Sequence, residues 1–347
     1  MSNIAMKSVS RFVSAATIIV TLGGLPALAQ TRELIFDVFL PRAAPIYQVA
    51  IVDFIKEVED ATAGSVKMTV PTSPMGPPPR LFDMVEDGVA DLALAPIIYS
   101  GDRITLPLIN DIFALAKTAE TASVATWRTH KKFFEEAGEW EAVVPVAIFA
   151  HGDEQFFVKG REINSVADLD GAKMVSPSKL HAARIQALGG VPVGAPAIKM
   201  FDLINGGVAE GIIVPTGPAY LQGLVDVVDS TTRVPGGVAR PAFAVIMNRE
   251  VFESLSNHQQ QAILNAGGEK FAAKLGAIAQ REVTIGEAEF DRSGTKVIEA
   301  SPELIEELRG KLGFIEQEWL EKAKAAGIDG PAALAYYRSV VAEMEAN

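Results

Sequence analysis

The side chains that most often carry catalysis are few in this 347-residue chain, and they form no recognisable reactive set. There are four histidines, none with a partner at the spacing of metal ligands: His130, His151, His181 and His258. The absence of cysteine removes thiol catalysis, disulfides and most structural zinc sites. The sequence also lacks an H-E-x-x-H zinc motif, a G-x-S-x-G nucleophile elbow, a P-loop and a G-x-G-x-x-G turn after a strand. We therefore predict a protein that is not an enzyme and holds neither metal nor cofactor.

His151 is the histidine whose position favours a binding role, because it stands where a first domain is predicted to end. Two interpretations stay open for it: a side chain in a cleft between domains, or a surface or capping histidine, which is the commoner case. The 43 acidic residues are assigned mainly to a solvated surface, and no pair of them stands out.

Residues 1–29 have the features of a secretory signal peptide. Lys7 and Arg11 lead into an apolar run over residues 12–25, and Ala27-Leu28-Ala29 supplies the small residues that a signal peptidase requires. The run is shorter than the ~20 apolar residues of a membrane-spanning helix. We predict cleavage near Ala29 and a periplasmic location for the mature protein.

The charge balance limits the possible partners. The chain has 31 basic and 43 acidic residues, a net charge of −12, and such a surface repels nucleic acid and anionic membranes. Apolar residues make up 49% of the sequence, so domains of ordinary size can each bury a core. The sequence predicts an acidic globular protein with no nucleic-acid partner.

Strand-like and helix-like stretches alternate from residue 32 onwards. Residues 34–39 are typical of a buried strand, the apolar positions of 47–58 recur at helical spacing, and residues 66–70 and 89–95 are again strand-like. This alternation favours an α/β fold with mostly parallel sheets covered on both faces.

One unit of the sequence occurs twice at a constant offset of 119 residues. Residues 85–96 (VEDGVADLALAP) are echoed by residues 204–215 (INGGVAEGIIVP). Each copy reads as the end of a helix, a glycine turn, an acidic residue, a strand and a proline. Ligands of open α/β sheets bind at the carboxyl ends of strands, so we expect Pro96 and Pro215 to lie on opposite sides of a cleft.

A long helical stretch follows from about residue 257 to residue 290. At 1.5 Å per residue it would reach ~50 Å, more than one domain needs. It can therefore cross both domains, with Gly267-Gly268 as a site of bending. Residues 303–326 and 332–345 are predicted to be closing helices.

Four segments in order resemble the solute-binding proteins of tripartite ATP-independent periplasmic (TRAP) transporters, and the resemblance covers essentially all of the mature chain. The four segments are residues 54–62 (FIKEVEDAT, followed by Met75-Gly76 and the turn at 88–91), 168–174 (DLDGAKM), 201–211 (FDLINGGVAEG) and 247–255 (MNREVFESL). The segment 168–174 is similar to the family's D-L-x-G-x-K-x-R-x-P, and the segment 201–211 to its Y-x-A-L-x-x-G-V-x-D-G.

The resemblance implies a two-lobed periplasmic binding protein of the Venus-flytrap, type II-like architecture, with a long helix bridging the lobes. We expect residues 30–150 and 237–270 to form domain I and residues 151–236 to begin domain II. Residues 271–347 would then supply the bridging helix and C-terminal helices packed on domain II. The implied function is a solute-binding receptor, expected to be monomeric, that binds a small organic solute and delivers it to a two-component membrane permease.

The substrate residues are where the sequence departs from the family. The family arginine that grips a ligand carboxylate corresponds to Val175, a second polar position falls near Gln155, and a third polar position is Val214, just before Pro215. A valine does not offset the desolvation of a buried carboxylate. We therefore expect a neutral or cationic solute such as an amino-alcohol, an amine or a polyol.

Aromatic and acidic residues near the predicted cleft suit such a ligand. Tyr47, Tyr99, Phe156 and Phe157 can offer aromatic faces to a cation, although for Phe157 core packing is the favoured alternative. The candidate countercharges are Asp37, Asp102 and Glu154.

Two alternatives stay open. The ligand can instead be a small organic acid anchored by a relocated arginine, Arg42 or Arg240, with Ser176 donating a hydrogen bond. The same chain can also serve as a sensor component that presents its ligand to a receptor kinase.

Overall fold

The computed structural model describes residues 31–346, and the predicted signal peptide lies outside them. The eleven strands of these residues form a five-stranded and a six-stranded sheet. The strands are β1 Arg32–Asp37, β2 Val66–Thr69, β3 Leu92–Pro96, β4 Val143–Ala150, β5 Glu154–Val158, β6 Lys173–Ser176, β7 Val191–Gly194, β8 Gly211–Pro215, β9 Ser230–Arg233, β10 Ala242–Asn248 and β11 Lys296–Glu299.

The helices cover the faces of both sheets. They are α1 Val52–Ala61, α2 Leu81–Glu86, α3 Ala119–Thr129, α4 Lys179–Ala187, α5 Met200–Asn205, α6 Thr216–Leu221, α7 Arg249–Glu253, α8 Asn257–Ala266, α9 Gly268–Ser293, α10 Pro302–Leu312, α11 Phe314–Ala325 and α12 Gly330–Glu345. Short 3₁₀ turns occupy Pro78–Arg80, Ile97–Tyr99, Leu106–Asp111, Val166–Leu169, Ala197–Lys199 and Leu224–Asp226, and π turns occupy Ile46–Ile51 and His130–Phe134. None of the helices in residues 31–346 is long and apolar enough to span a bilayer.

The first lobe is built on the sheet with strand order β2-β1-β3-β10-β4. β3 is buried along its whole length, as expected for a strand covered on both faces. The late strand β10 inserts antiparallel between β3 and β4, and its Phe243 stands opposite Pro96 on one side and Phe149 on the other. This register brings three apolar side chains from distant parts of the sequence to one edge of the sheet.

The second lobe is built on the sheet with strand order β11-β9-β5-β8-β6-β7. The chain passes between the two sheets three times: through residues 151–153 after β4, through residues 234–241 after β9, and through α9, which leads into β11. The chain is thus an α/β protein of two lobes, as the sequence predicted. The first two crossings are short and are joined by a backbone hydrogen bond from the His151 N–H to the Pro241 oxygen at 3.0 Å.

The 119-residue echo corresponds to two equivalent units of structure. α2 and α5 have the same length at this offset, as do β3 and β8. Gly88 and Gly207 each adopt a positive φ, of 70° and 72°, in the turn between helix and strand. Glycine is the residue that adopts this conformation without strain.

The long helix α9 contacts both lobes through glycines that allow close approach. A Cβ at Gly276 would lie 2.6 Å from the backbone oxygen of Ala119 on α3, in the first lobe, and one at Gly286 would lie 2.7 Å from that of Thr216 on α6, in the second. The helical stretch predicted over residues 257–290, with a bend at Gly267-Gly268, is two helices that divide at Gly267, where a Cβ would lie 2.5 Å from the backbone oxygen of Val146.

The C-terminal helices differ from the expectation that they all pack on the second lobe. α10 packs against α4 there, but α12 packs against α3 in the first lobe. The hydroxyl of Tyr337 on α12 donates to Oδ1 of Asn110 at 2.8 Å, in a buried contact. The C-terminal segment therefore contacts both lobes.

Candidate functional site

A cavity of about 140 Å³ lies between the two lobes. Its first-lobe wall includes Phe39, Leu94, Ile98, Phe149 and Phe243, and its second-lobe wall includes Met200, Ile213, Val214, Pro215 and Leu221. A cavity of about 150 Å³ with a similar apolar lining holds one benzene molecule. The space is therefore suited to a single small ring.

Aromatic side chains form one wall of this cavity. The rings of Phe39 and Phe243 stack at 6.4 Å between centroids, and Phe149 packs against Phe243 at 5.6 Å. The imidazole of His151 also lies 5.2 Å from the Phe243 ring. Because β10 sets Phe243 between β3 and β4, the sheet itself fixes this wall.

A histidine and a glutamate lie together at the cavity. His151 belongs to the first crossing between lobes and Glu282 to α9. Nε2 of His151 is 3.6 Å from Oε2 of Glu282, beyond hydrogen-bonding distance, and both side chains are only 5% exposed. Oε1 of Glu282 is buried without a hydrogen-bond partner among residues 31–346.

Burial decides the charge of this pair. It raises the pKa of Glu282 to about 7, and the backbone N–H of Ile46 offsets this only in part. Burial lowers the pKa of His151 to about 4, with the Arg240 charge acting in the same direction and Glu154 against it. At neutral pH the imidazole is therefore uncharged, and Glu282 is divided between its protonated and ionised forms.

A second polar group at the cavity is fully occupied by its own partners. Oε1 of Glu154 lies 2.9 Å from Nε2 of His181, and Oε2 accepts from Nη1 of Arg184 at 2.8 Å. Arg184 also donates to Asp111 of the first lobe at 2.6 Å. Burial would raise the pKa of Glu154, but His181 and Arg184 outweigh it and hold the pKa below its ordinary value. Glu154 therefore stays ionised and has no oxygen free for a ligand.

Tyr99 joins the two lobes at the cavity mouth. It follows β3 in the first lobe, and its hydroxyl accepts from the backbone N–H of Ala197 in the second at 3.2 Å. Nearby, the exposed side chains of Lys179 and Asp102 form a 2.5 Å ion pair across the cleft. No lysine or arginine of residues 31–346 lines the cavity itself.

Of the residues predicted for the site, three line the cavity: Tyr99, Val214 and Pro215. Ser176 lies in an adjacent open groove that Tyr99 also borders, and its hydroxyl donates to the Ser178 backbone oxygen at 3.0 Å. These four residues stand at or beside strand ends that face the cleft.

Four other predicted residues are placed in the interior of the lobes. Val175 is fully buried in the apolar cluster of the second lobe that also includes Phe157 and Val214. Phe156 is buried on the opposite face of the same sheet. Tyr47 is in the first-lobe core, and the Arg42 guanidinium lies over its ring with Cζ 5.1 Å from the ring centroid. The structure places none of these four at the cavity.

Gln155 stands on β5, next to the hinge that the two short crossings, residues 151–153 and 234–241, form between the lobes. Its amide nitrogen donates to Asp153 at 2.7 Å and to the Val234 backbone oxygen at 3.0 Å, and its amide oxygen accepts from the Val234 N–H at 2.7 Å. The side chain thereby joins the first crossing to the second. Both amide hydrogens of Gln155 are thus bonded within the protein, and its side chain does not line the cavity.

The two arginines proposed as relocated carboxylate anchors are also engaged elsewhere. Arg42 donates to the backbone oxygens of Val70 and Pro71 at 2.9 and 3.1 Å and to the Tyr47 hydroxyl. Arg240 is buried and donates to the backbone oxygens of Ala116 and Lys117 at 3.3 and 2.8 Å. Neither lines the cavity, because carbonyl groups of adjacent loops bind both guanidinium groups.

Of the predicted countercharges Asp37, Asp102 and Glu154, the first two lie away from the cavity. Both carboxylate oxygens of Asp37 accept from the Met75 N–H at 3.2 Å and so hold the loop after β2. Asp102 pairs with Lys179 outside the cavity. Of the three, only Glu154 lines the cavity, and its carboxylate is paired with Arg184 there.

Sequence reasoning missed Glu282, although a signal was present. Ile278, Ala279, Val283 and Gly286 form the buried stripe of α9, and Glu282 stands within it. An acidic residue in an apolar stripe at helical spacing predicts a buried carboxyl. Phe149 and Phe243 were missed because only the pairing of β10 with β4 brings them together. Among residues 31–346 no group of three or more His, Asp or Glu is arranged to hold a metal ion.

Comparison with known proteins identifies relatives across nearly the whole chain. The family model of bacterial extracellular solute-binding proteins, family 7 (DctP), matches residues 36–322. An outer membrane transporter protein of Comamonas testosteroni, TsaT, is 26% identical over 319 residues, which are 92% of this chain and 94% of that protein.

Solved structures of TRAP periplasmic solute-binding proteins have the same fold. One from Bordetella bronchiseptica, with bound (R)- and (S)-mandelate, is 28% identical with a TM-score of 0.86, covering 90% of this chain and 99% of its own. Another from Rhodoferax ferrireducens, in complex with copurified benzoate, is 22% identical with a TM-score of 0.82, covering 90% of this chain and 98% of its own.

Proposed function

The chain belongs to family 7 of the bacterial extracellular solute-binding proteins, and from that premise we propose that it is a periplasmic receptor for a small aromatic carboxylic acid. The observation that carries the proposal is the ring-sized apolar cavity between the lobes, walled by Phe39, Phe149 and Phe243. A ligand that contacts both lobes favours their closed arrangement, which is how such a receptor signals occupancy.

The aromatic part of the ligand is supported by the size and lining of the cavity. Apolar residues from both sheets surround a volume that one ring fills. Offset and edge contacts with three phenylalanines add to the burial of the ring surface. A polyol would leave hydroxyl groups against these side chains without partners, at a cost of about 1–3 kcal/mol each.

The carboxyl group of the proposed ligand is supported by a relative of known ligand and by two polar side chains at the cavity. The Bordetella bronchiseptica receptor, 28% identical to this chain, holds mandelate, an aromatic acid. His151 and Glu282 lie together at the cavity and include a carboxylate oxygen without a partner. They are the groups available to bind the polar end of a ring-bearing ligand.

An aromatic amine is the second candidate, and it retains the cationic solute predicted from Val175. The observation in its favour is the same unpartnered oxygen of Glu282, in a cavity that no lysine or arginine of the described residues lines. An ionised Glu282 would pair with an ammonium group over the phenylalanine faces. The two candidates differ in the charge of one ligand group, so matched compounds separate them.

The test is a binding comparison with benzoate, benzyl alcohol and benzylamine, which share a ring and differ in charge, together with (R)-mandelate. The purified receptor should first be freed of retained ligand by unfolding and refolding. A bound acid should raise the melting temperature, because saturation at a hundredfold over Kd stabilises by about 2.7 kcal/mol. Stabilisation by benzylamine alone would favour the second candidate, and no response to any of the four would exclude an aromatic solute.

A substitution can locate the site. Val214→Phe should fill the ring-sized space from the second lobe and weaken binding by at least about a hundredfold, because two rings do not fit in one such cavity. Val208→Phe is the matched control, since Val208 is 52% exposed in the turn before β8. Equal affinity of the two variants would place the site elsewhere.

The partner that follows from the family is the membrane permease of a TRAP transporter. Uptake of the identified solute into cells should then require both this receptor and the permease. Loss of a transcriptional response without loss of uptake would instead favour the sensor role.

A further inference from the structure

We propose that a carboxylate ligand enters the cavity together with one proton, which is held between the ligand carboxylate and Glu282, while His151 donates a second hydrogen bond to the ligand. This inference rests on the proposed function, and it assigns a ligand anchor to two residues that do not match the family's carboxylate-binding motif. No arginine is required for such an anchor.

Geometry makes the imidazole a donor. Nδ1 of His151 accepts from the Gly152 backbone N–H at 2.8 Å, so in the neutral ring the proton resides on Nε2. The ring packs 5.2 Å from that of Phe243, so it adjoins the aromatic wall of the cavity. Nε2–H therefore faces the same space as the Glu282 carboxyl, 3.6 Å away.

The position of Glu282 is fixed by its neighbours on α6. A Cβ at Gly217 would lie 2.8 Å from the Glu282 Cβ, so α6 and α9 approach closely and hold the base of the side chain. Its carboxyl is buried, and Oε1 has no partner among the described residues. A buried oxygen of this kind costs free energy unless a ligand supplies the missing hydrogen bond.

The proton follows from charge balance. An ionised Glu282 and a ligand carboxylate would place two negative charges together in a cavity that no lysine or arginine of the described residues lines, so one of them must be protonated. The proton comes from solvent: Glu282 carries it as O–H and donates it to the ligand oxygen, in a charge-assisted bond of the short O–H···O⁻ type. One negative charge remains, shared between the two carboxyl groups.

Few other ionisable groups act on this pair, and among them the charges of Arg240 and Glu154 act on His151 in opposite directions. His151 is the one basic side chain of residues 31–346 at salt-bridge distance from Glu282. Of the elements packed on α9, β4 has no ionisable side chain. The others near Glu282 carry Tyr47 on the π turn, Tyr220 on α6 and Asp153 in the first crossing, with Arg281 and Glu287 on α9 itself. Burial, which raises the pKa of Glu282 to about 7, supports protonation at physiological pH.

Glu154 does not serve in the same way, although it too lines the cavity. Both of its oxygens are bound, one by His181 and one by Arg184. Its pKa is held below the ordinary value by these partners. A ligand carboxylate would therefore meet no free proton there.

Calorimetry of benzoate binding tests the proposal, with titrations in buffers of different ionisation enthalpy at about pH 5.5, 7 and 8.5. Wild-type protein should take up nearly one proton per benzoate at the highest pH and far less at the lowest. Above neutral pH its Kd should rise about tenfold per pH unit. Glu282→Gln keeps a donor but no titrating proton, so its uptake should vanish and its Kd should stay level. Glu287→Gln, which removes a carboxyl outside the cavity on the same helix, should behave as wild type.

The outcomes separate the two proposals. Benzoate binding to wild type without proton uptake, or an unchanged pH dependence in Glu282→Gln, overturns the shared proton and leaves the receptor role in place. Tighter binding of benzylamine than of benzoate overturns it as well. Failure of every ring compound to bind removes the aromatic-solute function, and the anchor with it. The wild-type proton count stands even if the Gln variant does not fold.

Discussion

Nη2 of Arg184, in the second lobe, lies 2.6 Å from Oδ1 of Asp111, in the first, and both side chains are completely buried. The other end of the guanidinium binds Glu154, beside the cavity, at 2.8 Å. Charges that have lost their water are costly to leave without a partner. This contact therefore couples the closure of the lobes to the stability of the whole protein.

Arg184→Leu should lower the free energy of unfolding by about 3–5 kcal/mol, because Asp111 and Glu154 would remain buried without their cation. Urea denaturation followed by circular dichroism measures this. Lys179→Ala is the control, since it removes the exposed ion pair to Asp102 across the same cleft, and exposed pairs contribute little. Equal midpoints for the two variants would contradict the prediction.

Gln155→Leu should destabilise the hinge. The buried N–H of Val234 would lose its acceptor, at a cost of about 1–3 kcal/mol. We expect faster amide hydrogen exchange at residues 234–241 and a lower melting temperature. Gln186→Leu, on the exposed face of α4, should leave both unchanged. Normal exchange in Gln155→Leu would show that the two crossings are held together by other contacts.

Glu282 should make stability depend on pH in an unusual direction for an acid. Its pKa rises from 4.5 to about 7 on folding, so its contribution is present in full below pH 4.5 and is lost as the pH rises through 7. Relative to Glu282→Gln, wild type should lose on the order of 3 kcal/mol between about pH 4.5 and 7.5. Urea titrations across this range measure the difference, and a constant difference would contradict the buried-acid interpretation.

His151 should change the pH dependence of stability in the direction opposite to Glu282, over nearly the same pH range. Its pKa falls from 6.5 to about 4 on folding, so its contribution is complete above pH 6.5 and is lost as the pH falls toward 4. His151→Asn should therefore be more stable relative to wild type at low pH than at neutral pH. Urea denaturation across this range measures the difference, and a difference that does not change with pH would contradict the prediction.

The close contact between α9 and α3 should tolerate no side chain at Gly276. A Cβ there would lie 2.4 Å from the Ser123 hydroxyl and 2.6 Å from the Ala119 backbone oxygen, so Gly276→Ala should destabilise by about 1–3 kcal/mol through overpacking. Gly310, on α10, has open space at the same point. Gly310→Ala should stabilise by up to about 1 kcal/mol, and thermal melts would compare the two. A stabilised Gly276→Ala would show that the helices separate easily.

Local patterns predicted the parts of this fold that local interactions determine. The repeated helix, glycine turn and strand could be recognised because each copy is complete within about a dozen residues. Tyr99, Val214 and Pro215 could be placed near the cavity because they follow or end these strands. Gly267-Gly268 indicated where α8 and α9 divide, but the contact of Gly267 with Val146 in a distant strand could not be predicted from the sequence.

The roles of polar side chains were hardest to predict because their partners are remote in sequence. Gln155 binds Val234, 79 residues away, and Arg240 binds Lys117, 123 residues away. Nothing in the sequence near either residue indicates that its side chain will form hydrogen bonds with a distant backbone group. These hydrogen bonds decide whether a polar side chain remains available to a ligand.

The late insertion of β10 has a consequence for the time course of biosynthesis. In the first sheet β3 pairs with β10, which is made roughly 150 residues later, and β4 pairs only with β10. At 5–20 residues per second the ribosome needs on the order of 10–30 s to supply that strand. Throughout that interval β3 can pair only with β1, on one of its two edges, and β4, once made, has no partner in this sheet until β10 follows. The first lobe is thus a late product of translation, although its sequence begins first.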